Sequence, residues 1–210
     1  IKDVGASRIC VNPQSLNDET LVKIGRAHTS RDFFDKYALA RKYGFDINVD
    51  LIAGLNGETV ADFSRSLDGV AVLRPENVTV HTLSRKNGSQ LKQDGKYDNS
   101  EIAEMTDYAR AAMAGNGYLP YYLYRQKQML GNLENVGYTF PGKQCVNNVT
   151  TMEDCMSVIA CGAGAITKAV DLQRGKITRF AALRETALYI ERFDEKAEEK
   201  RNFLQKQFTK

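Results

Sequence analysis

The chain has 210 residues, 42% of them hydrophobic, and its 29 basic and 26 acidic side chains leave a net charge of +3. That length supports one or two domains with a real core, and so balanced a charge argues against a dedicated nucleic-acid binder. No apolar run approaches the roughly 18–20 residues that cross a bilayer, and no signal peptide is visible, so a cytoplasmic setting is the default expectation.

The chain opens at Ile1 with no methionine before Met105, and it runs almost at once into an apolar strand. A substantial preceding part is therefore expected. Three β runs are predicted in the first part, Arg8–Val11, Ile47–Ile52 and Val78–Thr82, short and apolar as parallel strands covered on both faces are. Between the first two the pattern predicts a short helix over Glu19–Ile24 and a longer one over Arg31–Tyr43. The longer helix places Phe33, Tyr37 and Ala40 on one face and ends at Gly44. Thr59 is the expected cap of a third helix, with Phe63, Leu67 and Val70 inward. The order βαβαβ fits consecutive units of a βα barrel or a doubly wound sheet.

From Ser84 to Ser100 the composition turns polar, which predicts a long loop and a domain boundary: residues 1–93, then 94–210. A helix over Glu101–Gly115 follows, with Ile102, Met105 and Ala109 inward. The aromatic stretch Tyr121–Arg125 reads as core or as a substrate wall. Met156–Cys161 is a further apolar run, leading into the Gly162–Ala165 turn, whose small residues read as close backbone packing. From Leu183 the tail is predicted as one charged surface helix anchored by Leu188 and Phe193. Cys10, Cys145, Cys155 and Cys161 show no metal-ligand spacing and are expected to be buried, reduced thiols. No metal ligand is therefore assigned within the chain.

In parallel α/β folds, ligands meet the C-terminal ends of the strands. Gln14 follows the first strand and offers both an acceptor and a donor; its alternative is a loop-capping amide. Arg26 ends the short helix and is a ligand contact or a surface ion-pair partner. Asp50 interrupts an apolar strand, where a carboxylate must find a hydrogen-bonding partner or a ligand, because burying it unpaired is costly. His28 and His81 are the only histidines, too few for a multi-histidine metal site, and His81 reads as a core histidine.

The runs RICVNPQSLNDETLVKIGRAHT, INVDLIAGLNGET and ENVTVHTLS resemble the radical S-adenosylmethionine barrel of oxygen-independent coproporphyrinogen III oxidases. YYLYRQKQMLGNLENVGY, ACGAGAITK and ALYIERFDEK resemble the coproporphyrinogen dehydrogenase (HemZ-type) subgroup. The resemblance implies an α/β fold: the last three βα units of a partial six-unit barrel plus a C-terminal α/β or mainly helical lid. It implies that Gln14, Arg26 and Asp50 contact S-adenosylmethionine, with Ser84 near the same ligand. Ile166 matches a position near a second S-adenosylmethionine, although Asn148 stands where that branch carries a glutamine. The family's CxxxCxxC motif, which holds a 4Fe-4S cluster, is absent from the chain and is expected upstream. The implied reaction is oxidative decarboxylation of two propionates of coproporphyrinogen III through a 5′-deoxyadenosyl radical. It needs a tetrapyrrole substrate and an electron donor, with no nucleic acid and no membrane span. No catalytic residue is assigned. Two other readings stay open: a haem-binding chaperone of the same family, and a non-enzymatic interaction domain.

Overall fold

A computed structural model describes residues 1–84 and 99–208, the side chain of Asn99 aside. The described chain divides into two compact units, Ile1–Val146 and Asn147–Lys210. The boundary expected at 93/94 and the polar loop around it lie outside the described residues. The aromatic stretch that follows is part of the first unit's sheet.

That sheet is mixed and five-stranded, in the order β1-β2-β3-β5-β4. Strands β1 (Arg8–Cys10), β2 (Asp46–Ala53) and β3 (Asn77–Thr82) run parallel, and helices α1 (Asp18–Lys23), α2 (Ser30–Lys42) and α3 (Val60–Val72) connect them. After α4 (Asn99–Gly115), β4 (Leu119–Tyr124) and β5 (Asn135–Thr139) add an antiparallel pair, β5 lying against β3. The sheet continues the α/β plan predicted from sequence. The β4–β5 pair was not foreseen, because its partner β3 lies far back in the chain.

One face of the sheet makes the core. Ile47, Val49, Leu51 and Ala53 are fully buried, as is Val78. Phe33, Tyr37 and Ala40 of α2, Phe63, Leu67 and Val70 of α3, and Met105, Ala109 and Met113 of α4 pack into the same cluster. Each large side chain so buried contributes about 1.5–3 kcal/mol. Thr29 and Asp32 form a capping box on α2, and Thr59 and Asp62 another on α3, satisfying backbone N–H groups left open at a helix start. Tyr118 is buried, donates to Pro75 O at 2.7 Å and stacks on Phe140. Pro120 fits β4 because an edge strand loses little to a missing N–H, and the register shifts between Pro120 and Tyr122.

The expectation that both faces are apolar is corrected: the alternation within INVDLIA and NVTVHT puts polar side chains on the second face. The expectation of buried thiols also fails. Cys10, Cys155 and Cys161 are exposed and Cys145 is half-buried.

The second unit contains α5 (Val146–Met152), whose first residue closes the first unit, and an antiparallel hairpin of β6 (Ile166–Asp171) and β7 (Lys176–Ala181). Helices α6 (Thr186–Glu191) and α7 (Phe193–Phe208) follow, so the predicted single tail helix is broken at Arg192. Phe180 packs against Phe203, ring centroids 5.8 Å apart. Met156–Cys161 forms no named strand but lies along β6, through a bridge from Val158 to Lys168 and side-chain hydrogen bonds between Ala160 and Thr167 and between Ser157 and Val170. Gly162 and Gly164 serve backbone shape rather than close packing: their φ values are 112° and 71°, with no atom closer than 3.9 Å to an added Cβ. No helix among the described residues is long and apolar enough to cross a membrane.

Candidate functional site

The polar face of the first unit is built by strand register. Cys10 of β1 pairs with Asn48 of β2, and Asp50 pairs with Thr79 of β3. Thr79 then pairs with Gly137 of β5, which pairs with Tyr122 of β4. Period-two alternation therefore lines up Cys10, Asn48, Asp50, Thr79, His81, Tyr122 and Tyr124 on one side.

Asp50 is the hub. Its Oδ1 accepts from Asn48 Nδ2 at 2.6 Å and its Oδ2 from Asn12 Nδ2 at 2.8 Å. Asn12 closes the clamp by accepting from the Asp50 backbone N–H at 3.1 Å. His81 Nε2 lies 3.4 Å from the same Oδ2. A carboxylate has about four lone-pair sites, so the two amide donors leave acceptor capacity on Oδ1, while His81 approaches Oδ2 without a hydrogen bond. The donor set suits a hydroxyl-bearing ligand.

A second hydrogen-bond path reaches the same carboxylate. Tyr122 Oη lies 3.1 Å from Thr79 Oγ1, and Thr79 donates to Asn48 Oδ1 at 3.3 Å. Tyr122 lies flat over β5 because residue 137 is glycine: an added Cβ there would stand 1.9 Å from the tyrosine ring. The Tyr122 and Tyr124 rings are parallel within 7°, centroids 6.1 Å apart. Burial pushes both phenols above their ordinary pKa, and the nearby Asp50 charge adds to it. Partial burial, and then Asp50, raises the Cys10 thiol in the same direction.

Gln14 is tied to Asp50's strand through the backbone. Its N–H donates to Asp50 O at 3.1 Å, and its O accepts from Ile52 N–H at 2.9 Å. Its φ of 70° is unusual for a non-glycine residue. The next residues hold it there: Ser15 Oγ donates to the buried Glu58, and Leu16 N–H donates to Ser66 Oγ at 3.0 Å. Burial raises the Glu58 carboxyl above its usual range.

Ser84 follows the end of β3 by two residues, and its Oγ donates to Lys127 O at 2.8 Å. Arg26 stands just past α1 with an exposed side chain, its backbone N–H donating to Leu21 O at 2.9 Å. Ile166 belongs to the second unit and is half-exposed on β6. Gln14 and Asp50 are thus in direct backbone contact. No hydrogen bond or ion pair among the described residues joins Arg26 or Ser84 to Gln14 or Asp50. On the Asn12 side a cavity of about 380 Å³ is lined by Val11, Asn12, Pro13, Ala27, His28 and Phe33, among others. The sequence reading names neither Asn12, Asn48 nor Thr79, and gives Tyr122 and Tyr124 only as core or substrate wall; the alternation of polar residues along β2 and β3 is the signal that finds Asn48 and Thr79.

No group of three or more His, Cys, Asp or Glu among the described residues could hold a metal ion. The residues present do not fit a 4Fe-4S cluster.

The model of the Radical SAM superfamily matches residues 1–69. The oxygen-independent coproporphyrinogen-III oxidase-like protein HemZ of Bacillus subtilis (strain 168) is 45% identical over 97% of this chain and 42% of that protein. The heme chaperone HemW of the same organism is 30% identical over 58% of this chain and 34% of its own length. Among solved structures, coproporphyrinogen III oxidase (HemN) from Escherichia coli, a radical SAM enzyme, superposes with a TM-score of 0.70. That match covers 92% of this chain and 44% of the other at 19% identity, so it speaks to the fold alone. The chain spans less than half the length of these relatives.

Proposed function

Because this chain is a relative of the radical S-adenosylmethionine proteins of the coproporphyrinogen-oxidase-like group, we propose that it supplies their nucleoside-binding strand ends. The observation that carries the reading is Asp50: a strand carboxylate clamped by Asn12 and Asn48, with acceptor capacity left beside the backbone-anchored Gln14. On this reading Asp50 accepts from ribose hydroxyls of S-adenosylmethionine, and Gln14, Arg26 and Ser84 border the same ligand. Ile166 is proposed for a second such ligand. S-adenosylmethionine, when bound, would supply the hydrogen-abstracting power of the complete protein. The residues of this chain bind, orient and enclose; the cofactor carries the hard chemistry.

For the complete protein we propose oxygen-independent oxidative decarboxylation of coproporphyrinogen III to protoporphyrinogen IX. Each vinyl formed takes one electron from an external donor to cleave S-adenosylmethionine and gives one electron from the decarboxylating substrate radical to an external acceptor. What favours this reading is identity: the oxidase-like relative is 45% identical along nearly the whole chain, whereas the heme chaperone of the same organism is 30% identical over 58% of it. The experiment is anaerobic incubation of the reconstituted complete protein with coproporphyrinogen III, S-adenosylmethionine and a reductant. Release of carbon dioxide with new vinyl side chains supports the reading. Stoichiometric haem binding without decarboxylation replaces it with the chaperone reading.

A further inference from the structure

Glu58 is a buried carboxylate that the ligand reading does not use. It sits in the turn between β2 and α3 and is only 6% exposed. Its Oε1 accepts from Ser15 Oγ, and the Thr20 hydroxyl of α1 is a second hydrogen-bonding partner. Both hydroxyl residues are themselves buried. Among the described residues no basic side chain forms an ion pair with Glu58. Burying a carboxylate without a cation is costly, so what this group contributes is geometry rather than net stability.

That geometry falls on Gln14. Its φ of 70° is a left-handed backbone that a residue with a side chain rarely adopts. On its strand side Gln14 is bridged to Leu51, next to Asp50. On its other side the chain leaves the sheet at once, and a buried set of bonds takes it. Ser15 Oγ donates to Glu58 and accepts from Asn17 N–H at 3.0 Å, and Leu16 N–H donates to Ser66 Oγ at 3.0 Å. Ser66 is buried on α3, and Gly69 one turn later leaves room for Leu16: a Cβ added there would stand 2.8 Å from Leu16 Cδ1. The β2–α3 turn and α3 together over-determine residues 15–17, which is what a strained residue beside them needs in order to persist.

We propose that Glu58 is a positioning residue for the ligand site: with Ser15 and Ser66 it fixes the left-handed turn at Gln14 and presets Gln14 for S-adenosylmethionine. This rests on the proposed role of Gln14 and adds what holds that residue ready. Glu58 touches no ligand; it acts through the loop, tying the turn after β1 to the turn after β2. Binding then meets a rim already in shape, and less ordering is left to be done when the ligand arrives.

The test measures S-adenosylmethionine affinity of the complete protein by equilibrium dialysis, with circular dichroism to show that each variant is folded. Glu58→Met fills the space but offers no oxygen acceptor. It and Ser66→Ala should each weaken affinity about three- to tenfold, the worth of one hydrogen bond. Glu58→Gln keeps an acceptor for Ser15 and should restore binding to within about twofold of wild type. Tyr118→Phe removes a buried hydrogen bond to Pro75 O at the N-terminal end of β3 and should leave affinity unchanged. In a Gln14→Ala background Glu58→Met should cost no further affinity, because the residue it positions is gone. An equal loss in both backgrounds, a loss in Tyr118→Phe as large as in Glu58→Met, or a Glu58→Gln as weak as Glu58→Met overturns the proposal. So does a Glu58→Met that binds like wild type while Gln14→Ala binds weakly, and the reading of Gln14 then stands. If Gln14→Ala itself binds like wild type, Gln14 leaves the site and this inference goes with it. Should Glu58→Met fail to fold, Ser66→Ala carries the same cycle.

Discussion

Replacing Gly137 by alanine tests how the polar face is assembled. The added Cβ would stand 1.9 Å from Tyr122 Cε1, 2.4 Å from Cδ1 and 2.7 Å from Cζ, far inside contact distance. Tyr122 cannot simply tilt away, because Tyr121 packs edge-on at 4.7 Å and Tyr124 lies parallel at 6.1 Å. Forcing extra volume into a packed site costs about 1–3 kcal/mol. Losing the Tyr122–Thr79 hydrogen bond adds about 1 kcal/mol. Alanine by itself is better than glycine in a strand by roughly 0.5–1 kcal/mol, which offsets part of the loss. The net expectation for Gly137→Ala is a destabilisation of about 1–3 kcal/mol. Urea unfolding followed by circular dichroism measures it. The decisive comparison is the same substitution in a Tyr122→Ala background, where the clash is gone and alanine should be neutral or slightly stabilising. An equal cost in both backgrounds would refute the argument, since the coupling between the two positions is its whole content.

Other consequences follow from the loop that holds Gln14 and from the helix caps. The Glu58 carboxyl is pushed up chiefly by burial, so its folded pKa lies above its unfolded one and its contribution is full below the unfolded value and lost as pH rises through the folded value. Glu58→Gln keeps an acceptor for Ser15 and removes that titration. Its urea midpoint should fall less than the wild type's between about pH 4.5 and about pH 7, and parallel curves would contradict the assignment. Thr59→Ala removes one half of the α3 capping box and should cost about 1 kcal/mol, with serine restoring most of it. A thermal melt in which alanine and serine behave alike would deny the cap its role.

Much of the first unit was legible because its signals are local. Phe33, Tyr37 and Ala40 repeat at helical spacing, and each is buried. Thr59 stands where a cap belongs, and it caps. Asp50 was singled out as a carboxylate needing partners, and Asn12 and Asn48 both donate to it. What escaped depends on partners distant in sequence. Strands β4 and β5 are strands because β3 offers an edge, and nothing within the aromatic segment announces it. The two faces of β2 differ because helices cover one of them; the run was read for its apolar content, although its alternation of Asn48 and Asp50 with Val49 and Leu51 carried the answer. Cys10 was misjudged in the same way, since a three-residue strand does not disclose which face its last residue takes.

The central claim is that Asp50 is a ligand acceptor, and its most direct test is S-adenosylmethionine affinity of the complete protein before and after Asp50→Ala, with circular dichroism to show that the fold survives. Removing a charge-assisted hydrogen bond costs about 1.5–3 kcal/mol, so the account predicts affinity weaker by roughly tenfold or more with an unchanged spectrum. An unchanged affinity in a folded variant would contradict it.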